Sequence, residues 1–570
     1  MKVAKITIIL YFVTLFLSFS AYSGVNYIDS PPLNQVVKGA IVDCSDSAVQ
    51  VPLITWGGDI ATIYANGNNK NTAKESIFAK QGLNNISLVR EDVFSNQINN
   101  YLSCKTPYLR GTMGMINMAA ELLNKDPRTK PIVIYQLTWS AGGDAMVVKE
   151  NIKTPADLKN KTIALQAYGP HVDYLSKILS DAGLSIKDVT IKWVNELTGK
   201  RDSPMAAFYE PTVDAAMVII PDALALTVGT GAEDSVKGAS VLLSTKTANR
   251  IIADVYAVRA DYLKANQQSV ERFVNALMVA EEELSELFKN RKAKADEYKK
   301  MITAAAEILL DSPQAVLDAE GLYKDCEYVG FRGNVMFFTD KNYPRNFNRL
   351  VDEIQMAFVS VGLLSKQVTL ESANWDYNNL KANLKNTEGV ELAKFDKDKV
   401  ATVITQKQKQ GREEEGVLFS FEVYFQSNQN DFPAEMYKDA FKKVINLAST
   451  YGGAIITVEG HSDPLGYLKK KKSDASQIVL NSTRQAAKNL SLSRANAVRN
   501  SVIEHAKSQG TVLDPTQFTV IGHGIDKPKS GMCGVDPCPP KTKQEWLNNM
   551  RVEFKIIQIE AENIEFERLE

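Results

Sequence analysis

Two sets of polar residues in this chain are placed where they could do chemistry. The first lies near the C-terminus. A strand-like run, TVEGHSDPLG (457–466), ends by presenting the carboxylate of Asp463 on a tight turn, with Gly460 just before it. Further on, LSLSRANAVRNSV reads as a helix. Ser491 is its expected N-cap, Ala495, Val498 and Val502 form its apolar stripe, and Arg494 falls in its first turn. A cation there is at the less favourable end of the helix dipole, so a nearby anion is expected, and Asp463 is the candidate. Such a pair matches an amino-acid headgroup: the ammonium would meet Asp463, and the carboxylate would take a two-pronged contact from Arg494. The alternative is an ordinary ion pair at a sheet edge.

The second set lies in the larger N-terminal part. TWGGD (55–59), GTMGM (111–115), SAGGD (140–144), AYGPHVD (167–173) and IIPDA (219–223) fall at the ends of expected strands or helices. In an open α/β sheet, ligands gather outside the carboxyl ends of strands. Glycines such as Gly57, Gly143 and Gly169 let backbone amides come close to a ligand, or serve turns alone. Gly169-Pro170 is a good helix opening, whose free amides can hold an anion. Trp56 and Tyr168 offer aromatic walls. Asp59, Asp144 and Asp222 favour a cationic group, while the 169–171 helix start and Arg201 favour an anionic one. A zwitterion, such as an amino acid or a sulfonated amine, reconciles the two. Asp59 and Asp144 could equally be caps, and His171 a solvated residue.

Catalytic and cofactor chemistry finds little support. His461 and His523 stand at strand ends without a convincing nucleophile and read as packing or turn residues. There is no G-x-x-x-x-G-K loop. With four His in the chain, no metal site and no cofactor are expected.

The elements that must position these residues can be read from periodicity. VPLITW, ISLVRE, PIVIYQLTW, AMVVK, KTIALQAY, VTIKWV and AAMVII read as strands. TAKESIFAKQG and VDYLSKILSDAG read as helices closing on Gly. This alternation predicts a mostly parallel, helix-flanked sheet. Residues 265–365 read as mainly helical. The segment 366–416 turns polar and ends in KQKQGREEEG, which is read as a linker. Beyond it, a β-α-β-α-β-β pattern is expected. Its last strand alternates Val552, Phe554 and Ile556 with Arg551, Glu553 and Lys555.

At 570 residues the chain exceeds one compact core, and two or three domains are expected. A net charge of −1 gives no reason to expect nucleic acid as a partner. Lys2 and Lys5, the apolar run ITIILYFVTLFLSF and the small residues Ala21 and Ser23 form an export signal with cleavage expected after Ser23; an uncleaved anchor is the alternative. Cys533 and Cys538 in GMCGVDPCPP are expected to form a local disulfide. Cys44 and Cys104 could pair, leaving Cys326.

Two resemblances sharpen these expectations. EGHSDPLG, LSLSRANAVRNSVI, VIGHGIDKP and NNMRVEF resemble the peptidoglycan-binding domain of the OmpA-like family over roughly 417–558. That resemblance implies recognition of the diaminopimelate end of an uncrosslinked wall peptide, with Asp463 and Arg494 as its carboxylate and arginine. Asn549 and Arg551 stand where the family has an Asn-Arg-Arg run, with Met550 replacing one basic residue. YLKKKKSDASQIVLNSTRQAAKN lengthens the loop between the matched blocks. Its four-lysine run, 469–472, is either a solvated loop or an aid to wall binding.

SAGGDAMVVKENIKTPADLKNKTIALQAYGPHVDYLSKILSDAGL, VDAAMVIIPDA and ADVYAVRADYLKANQQSVERFV are similar to periplasmic substrate-binding proteins of the nitrate/sulfonate/taurine type, over about 50–365. This implies two α/β lobes closing over a small organic solute for an inner-membrane ABC permease. It suggests cleft positions at Trp56, Gly57, Asp59, Thr112, Gly143, Asp144, Tyr168, Gly169, His171 and Asp222. The whole reads as a non-enzymatic periplasmic protein: signal 1–23, two-lobed domain 24–365, linker 366–416 and wall-binding domain 417–560. Tethering would raise the local concentration of the lobes near a partner. The alternative is a wall-associated sensory or structural protein.

Overall fold

The computed structural model of the chain describes residues 24–44, 49–227, 234–387, 397–410, 414, 416–425, 434–534 and 536–558. The expected export signal lies outside these residues. Among them, no helix is long and apolar enough to cross a membrane.

The first part of the chain builds two lobes. In one lobe, β1 (Val49–Leu53) pairs in parallel with β2 (Ile86–Arg90). β3 (Tyr108–Thr112) and β4 (Pro131–Ser140) flank β10 (Ala253–Arg259), and β11 (Cys326–Tyr328) adds to β4. In the other lobe the order is β7 (Thr190–Val194), β6 (Thr162–Gln166), β8 (Ala215–Ile219), β5 (Asp144–Val148) and β9 (Ser240–Ser244). The expectation of mostly parallel sheets is corrected here. β10 is antiparallel to both its neighbours, and so is β5, while β6 is parallel to β7 and β8. The chain passes between lobes from β4 into β5 and returns from β9 into β10, and strands that carry it across and back run in opposite senses.

Helix Gln267–Lys289 turns Val270, Phe273, Val274, Leu277, Ala280, Leu284 and Leu287 inward at helical spacing. Phe273 stacks on Phe78 with ring centroids 5.3 Å apart. The TAKESIFAKQG stretch is helical only over Ile77–Lys80, where Ser76 accepts the amide of Ala79.

Residues 366–385, expected as the start of a linker, pack on the first lobe instead. β12 (Glu371–Ser372) pairs with β4, Leu370, Ala373 and Leu380 are buried, and the Trp375 indole donates to the carbonyl of Ile134 at 2.8 Å.

The C-terminal part is a sheet of order β13 (Val417–Tyr424), β18 (Arg551–Ile557), β14 (Ile455–His461) and β15 (Phe518–Gly524). A short hairpin, β16 (Met532–Cys533) with β17 (Asp536–Pro537), stands before β18. Ile456, Val458, Val552, Phe554 and Ile556 meet Phe441, Val444, Ala495, Val498 and Val502 of the helices Lys438–Thr450 and Gln477–Ser508 in one core cluster. Disulfides join Cys44 to Cys104 and Cys533 to Cys538, and Cys326 is a buried free thiol.

The polar insertion 467–489 is not a loop. Residues Leu465–Lys472 are helical, and Gln477–Ser508 is one continuous helix of 32 residues. Ser491 is therefore not an N-cap and Arg494 is not in a first turn. The Ser491 hydroxyl donates to the carbonyl of Lys488 and accepts the amide of Gly524 at 2.9 Å. It ties the middle of the helix to the end of β15.

Candidate functional site

Between the lobes, polar side chains converge at the ends of strands and the starts of helices. On the first lobe, Asp59 lies in the opening turn of helix Asp59–Ala65 and is fully buried. Arg110, from β3, reaches it at 2.9 Å and holds Asp254 of β10 at 3.0 Å. Burial pushes the Asp59 carboxyl up to about 7, against the pull of Arg110. Asp254 also accepts from the hydroxyl of Thr138 at 3.1 Å, and the Trp56 indole donates to that hydroxyl at 3.1 Å. Asp59 is thus engaged by its own lobe, and Trp56 is oriented by the same network.

Trp56 explains Gly143. A Cβ on Gly143 would lie 2.5 Å from the Trp56 ring, so the glycine lets the ring close on the first crossover. Gly57 is needed for a different approach: its Cβ would lie 1.9 Å from the carbonyl oxygen of Leu322, and the Tyr328 hydroxyl donates to the Gly57 carbonyl at 2.6 Å.

On the second lobe, Asp144 opens β5 and His171 opens helix His171–Asp181. His171 Nε2 lies 2.7 Å from Asp144 Oδ1, while the Ser140 hydroxyl donates to Oδ2 at 2.5 Å. Both residues are buried, and His171 Nδ1 has no partner. His171 is therefore neither solvated nor a cap. Tyr168 sits at φ 59°, an uncommon conformation for a bulky residue, and its hydroxyl donates to the carbonyl of Pro31 at 2.6 Å. Gly169 is packed against Gln166, whose Oε1 would lie 2.3 Å from a Cβ there. Thr112 caps helix Met113–Leu123 by accepting the amide of Met115 at 3.2 Å. Asp222, in the first turn of helix Ile220–Thr227, has a buried oxygen without a partner, and burial lifts its carboxyl to about 6.

Sequence reasoning missed several members of this seam. Arg110 and Asp254 were hidden because their roles depend on each other across distant strands. Asp173 lies in the same turn as His171 and is more isolated. Both its oxygens are buried without a well-formed hydrogen bond, and burial lifts it to about 7. A Cβ on Gly114 of the first lobe would lie 2.5 Å from Asp173 Oδ1. Asp325 packs beside Gly142, and burial raises it to about 6. Arg201, by contrast, is exposed.

In the C-terminal part, Asp463 and Arg494 are both half-exposed. Asp463 Oδ1 accepts the amide of Leu465 at 2.8 Å, which orders the turn. Arg494 projects from the middle of its helix. Half-burial lowers its pKa, the charge of Asp463 opposes that fall, and its Nε is buried without a partner. The two charges sense each other without a direct ion pair.

The other residues expected at this site face inward. Asn549 is fully buried, donating to the carbonyl of Ser530 at 3.0 Å and accepting its amide at 3.1 Å. Arg551 is buried and ion-paired with Glu422 at 2.9 Å. Gly460 lets β14 touch the long helix, since a Cβ there would lie 2.1 Å from the carbonyl oxygen of Ser491. These three hold the frame of the site. The lysines of 469–472 lie on the short helix, where Lys471 pairs with Asp536 at 3.0 Å.

Comparison with known proteins finds the family described as NMT1/THI5 like over residues 120–286. No curated protein matches the chain. Solved structures similar to the chain include the periplasmic aliphatic sulphonate binding protein SsuA from Escherichia coli, at 17% identity and TM-score 0.38, over 61% of this chain and 96% of that one. The alkanesulfonate-binding protein SsuA from Xanthomonas axonopodis pv. citri, bound to MOPS, aligns at 17% identity and TM-score 0.38, over 58% of this chain and 100% of that one. The periplasmic nitrate-binding protein NrtA from Synechocystis PCC 6803 aligns at 14% identity and TM-score 0.36, over 56% of this chain and 83% of that one.

Proposed function

We propose that the chain is an exported solute-binding protein. Its two lobes would capture a small organic solute for an ABC-type importer, and its C-terminal part would hold it to peptidoglycan in the periplasm. The observation that carries the first half is the seam between the lobes. Trp56 closes on Gly143, Asp173 approaches Gly114, and Asp144 with His171 forms a buried pair beside the crossover. The match of residues 120–286 to a family described as NMT1/THI5 like agrees with this reading. Mass spectrometry of small molecules that co-purify with the chain, followed by calorimetric titration of amino acids, amines and sulfonated amines, tests it. A bound solute whose affinity falls at least tenfold in Asp144→Ala is expected. If nothing in the panel binds and nothing co-purifies, the solute-binding reading fails.

The tether rests on Asp463 and Arg494, opposite charges that are near each other yet unbonded. They are suited to the ammonium and carboxylate of a diaminopimelate terminus. The chain is expected to sediment with isolated sacculi, and Asp463→Ala or Arg494→Ala to stay in the supernatant. Variants that sediment like the parent would remove the tether.

One observation favours a second reading, in which the lobes signal rather than feed a permease. The C-terminal part touches the return crossover: the amide of Gly453 donates to the carbonyl of Thr247 at 3.1 Å and that of Arg250 to Thr450 at 3.2 Å. A sacculus affinity that changes with solute would favour it.

A further inference from the structure

The face of the C-terminal sheet turned away from its helices is charged, yet all of its charged residues named below except the partly exposed Glu553 are buried. β14 contributes Glu459 and His461, β15 contributes His523, and β18 contributes Arg551, Glu553 and Lys555. Glu459, His461 and His523 are all buried, and one ligand atom from each lies within 4.8 Å of the other two. We propose that His461, His523 and Glu459 form a binding site for a divalent transition-metal ion, zinc by its donor set, with Glu553 as the fourth ligand.

The geometry of His461 carries this assignment. Its Nδ1 lies 2.9 Å from the carbonyl oxygen of Lys527, which can only accept, so Nδ1 holds the proton and Nε2 presents a lone pair. That Nε2 is buried and has no hydrogen-bond partner. A ring fixed by a carbonyl on one nitrogen and open on the other is the usual arrangement of a metal-bound histidine. Glu553 Oε2 lies 3.8 Å from the free nitrogen. His523 Nε2 lies 2.9 Å from Glu459 Oε2 and now shares a proton with it. On metal binding that proton would leave or move to Nδ1, giving both ligands to the ion.

Two imidazoles with carboxylates suit zinc; to form a tetrahedral shell the His461 and Glu553 atoms would draw closer and the 2.9 Å His523–Glu459 contact would open. Lys555 is the resident competitor, with its ammonium 3.3 Å from Glu459 Oε2. It has another partner in Glu414 at 2.7 Å, toward which it could turn. The ion would pin β14 to β15 and to the loop at Lys527, a structural role. Sequence reading missed the site because four histidines in 570 residues look too few, and only strand pairing brings His461 and His523 together.

The test uses a tag-free preparation of the chain, stripped with chelator and titrated with Co2+ and then Zn2+. One equivalent of Co2+ should give the visible absorption of a tetrahedral site, and Zn2+ should displace it and raise the Tm by several degrees. Glu459→Gln and His523→Gln should each weaken binding at least tenfold, His505→Gln should leave it unchanged, and Lys555→Met should tighten it. A folded parent chain that shows no cobalt band and retains no zinc overturns the site. So does full binding by folded Glu459→Gln and His523→Gln forms. Should either variant fail to fold, the cobalt spectrum of the parent and the response of Lys555→Met decide the matter.

Discussion

The hydroxyl of Tyr451 donates to Asp181 Oδ2 at 2.8 Å, across 270 residues of sequence. Tyr451 closes the first helix of the C-terminal part, and Asp181 ends the helix that His171 begins. Asp181 also pairs with Lys177 at 2.5 Å, so it stays compensated if the tyrosine hydroxyl is removed. Tyr451→Phe should therefore cost about 1.5–3 kcal/mol, the worth of a hydrogen bond to a charged group. Denaturant titration would measure it. Limited proteolysis should show faster cutting between the two parts, and an unchanged pattern would mean the contact does not hold them.

Gly460 and Gly466 make a matched pair. A methyl at 460 would press on the carbonyl of Ser491, backbone against backbone, and neither side can yield cheaply. Gly460→Ala should lower stability by about 1–3 kcal/mol. Gly466 lies in the short lysine-rich helix with nothing within 4 Å of its would-be Cβ. Gly466→Ala should be neutral or stabilising by up to about 1 kcal/mol, through helix propensity. Thermal melts of the two variants side by side would check the contrast.

Arg110 is the cation that bridges Asp59 and Asp254 in their buried triad. Arg110→Met should cost about 3–5 kcal/mol at neutral pH, because it strands two buried carboxylates. The loss should shrink in acid, where those carboxyls take up protons. A denaturant series at pH 5 and pH 8 would show it.

Asp173 sets a pH trend of its own. Buried, it keeps its proton up to about pH 7, while the unfolded chain releases it near the ordinary aspartate value of 3.8. Below pH 4 both states are protonated and ionisation gives neither an advantage. As pH rises from 4 to 7 the unfolded state ionises first, so stability falls, by at most about 1.4 kcal/mol per pH unit. Asp173→Asn should flatten that slope. Stability curves of equal slope for parent and variant would show that Asp173 ionises freely in the fold.

The two disulfides should differ in weight. Cys44–Cys104 closes a separation of 60 residues and Cys533–Cys538 one of 5. Chain entropy assigns about 4 kcal/mol to the first and about 2 kcal/mol to the second. Cys44→Ser should lower the Tm more than Cys533→Ser. The reverse order would show that local packing outweighs loop closure.

The pattern of residues made much of this architecture legible. Runs such as PIVIYQLTW and AAMVII are strands because a short, continuous, apolar and β-branched run suits a strand buried on both faces. β3 escaped notice because YLRGT carries an arginine and a glycine that only the triad and the adjoining helix explain. The helix over 477–490 was hidden because its residues lack an apolar stripe, with Ile478 left exposed and only Leu480 buried in its first turns. Asp59, Asp144 and His171 could be placed near strand ends from sequence. Their partners could not, since Arg110 and Ser140 act through contacts set by strand order. Asn549 and Arg551 show the same limit: their types suggested a ligand surface, while their burial gives them to Ser530 and Glu422.

Gly453 has a consequence for motion. A Cβ there would lie 1.8 Å from the carbonyl oxygen of Lys246, so the backbone of the tail region rests directly on the returning crossover. Rotation of one lobe against the other bends that crossover, and must then either drag the tail along or break the seat at Gly453. A chain gripped at its far end would feel the opening and shutting of its jaws as a pull on the anchor, and slack or tension in the anchor would in turn bias the jaws.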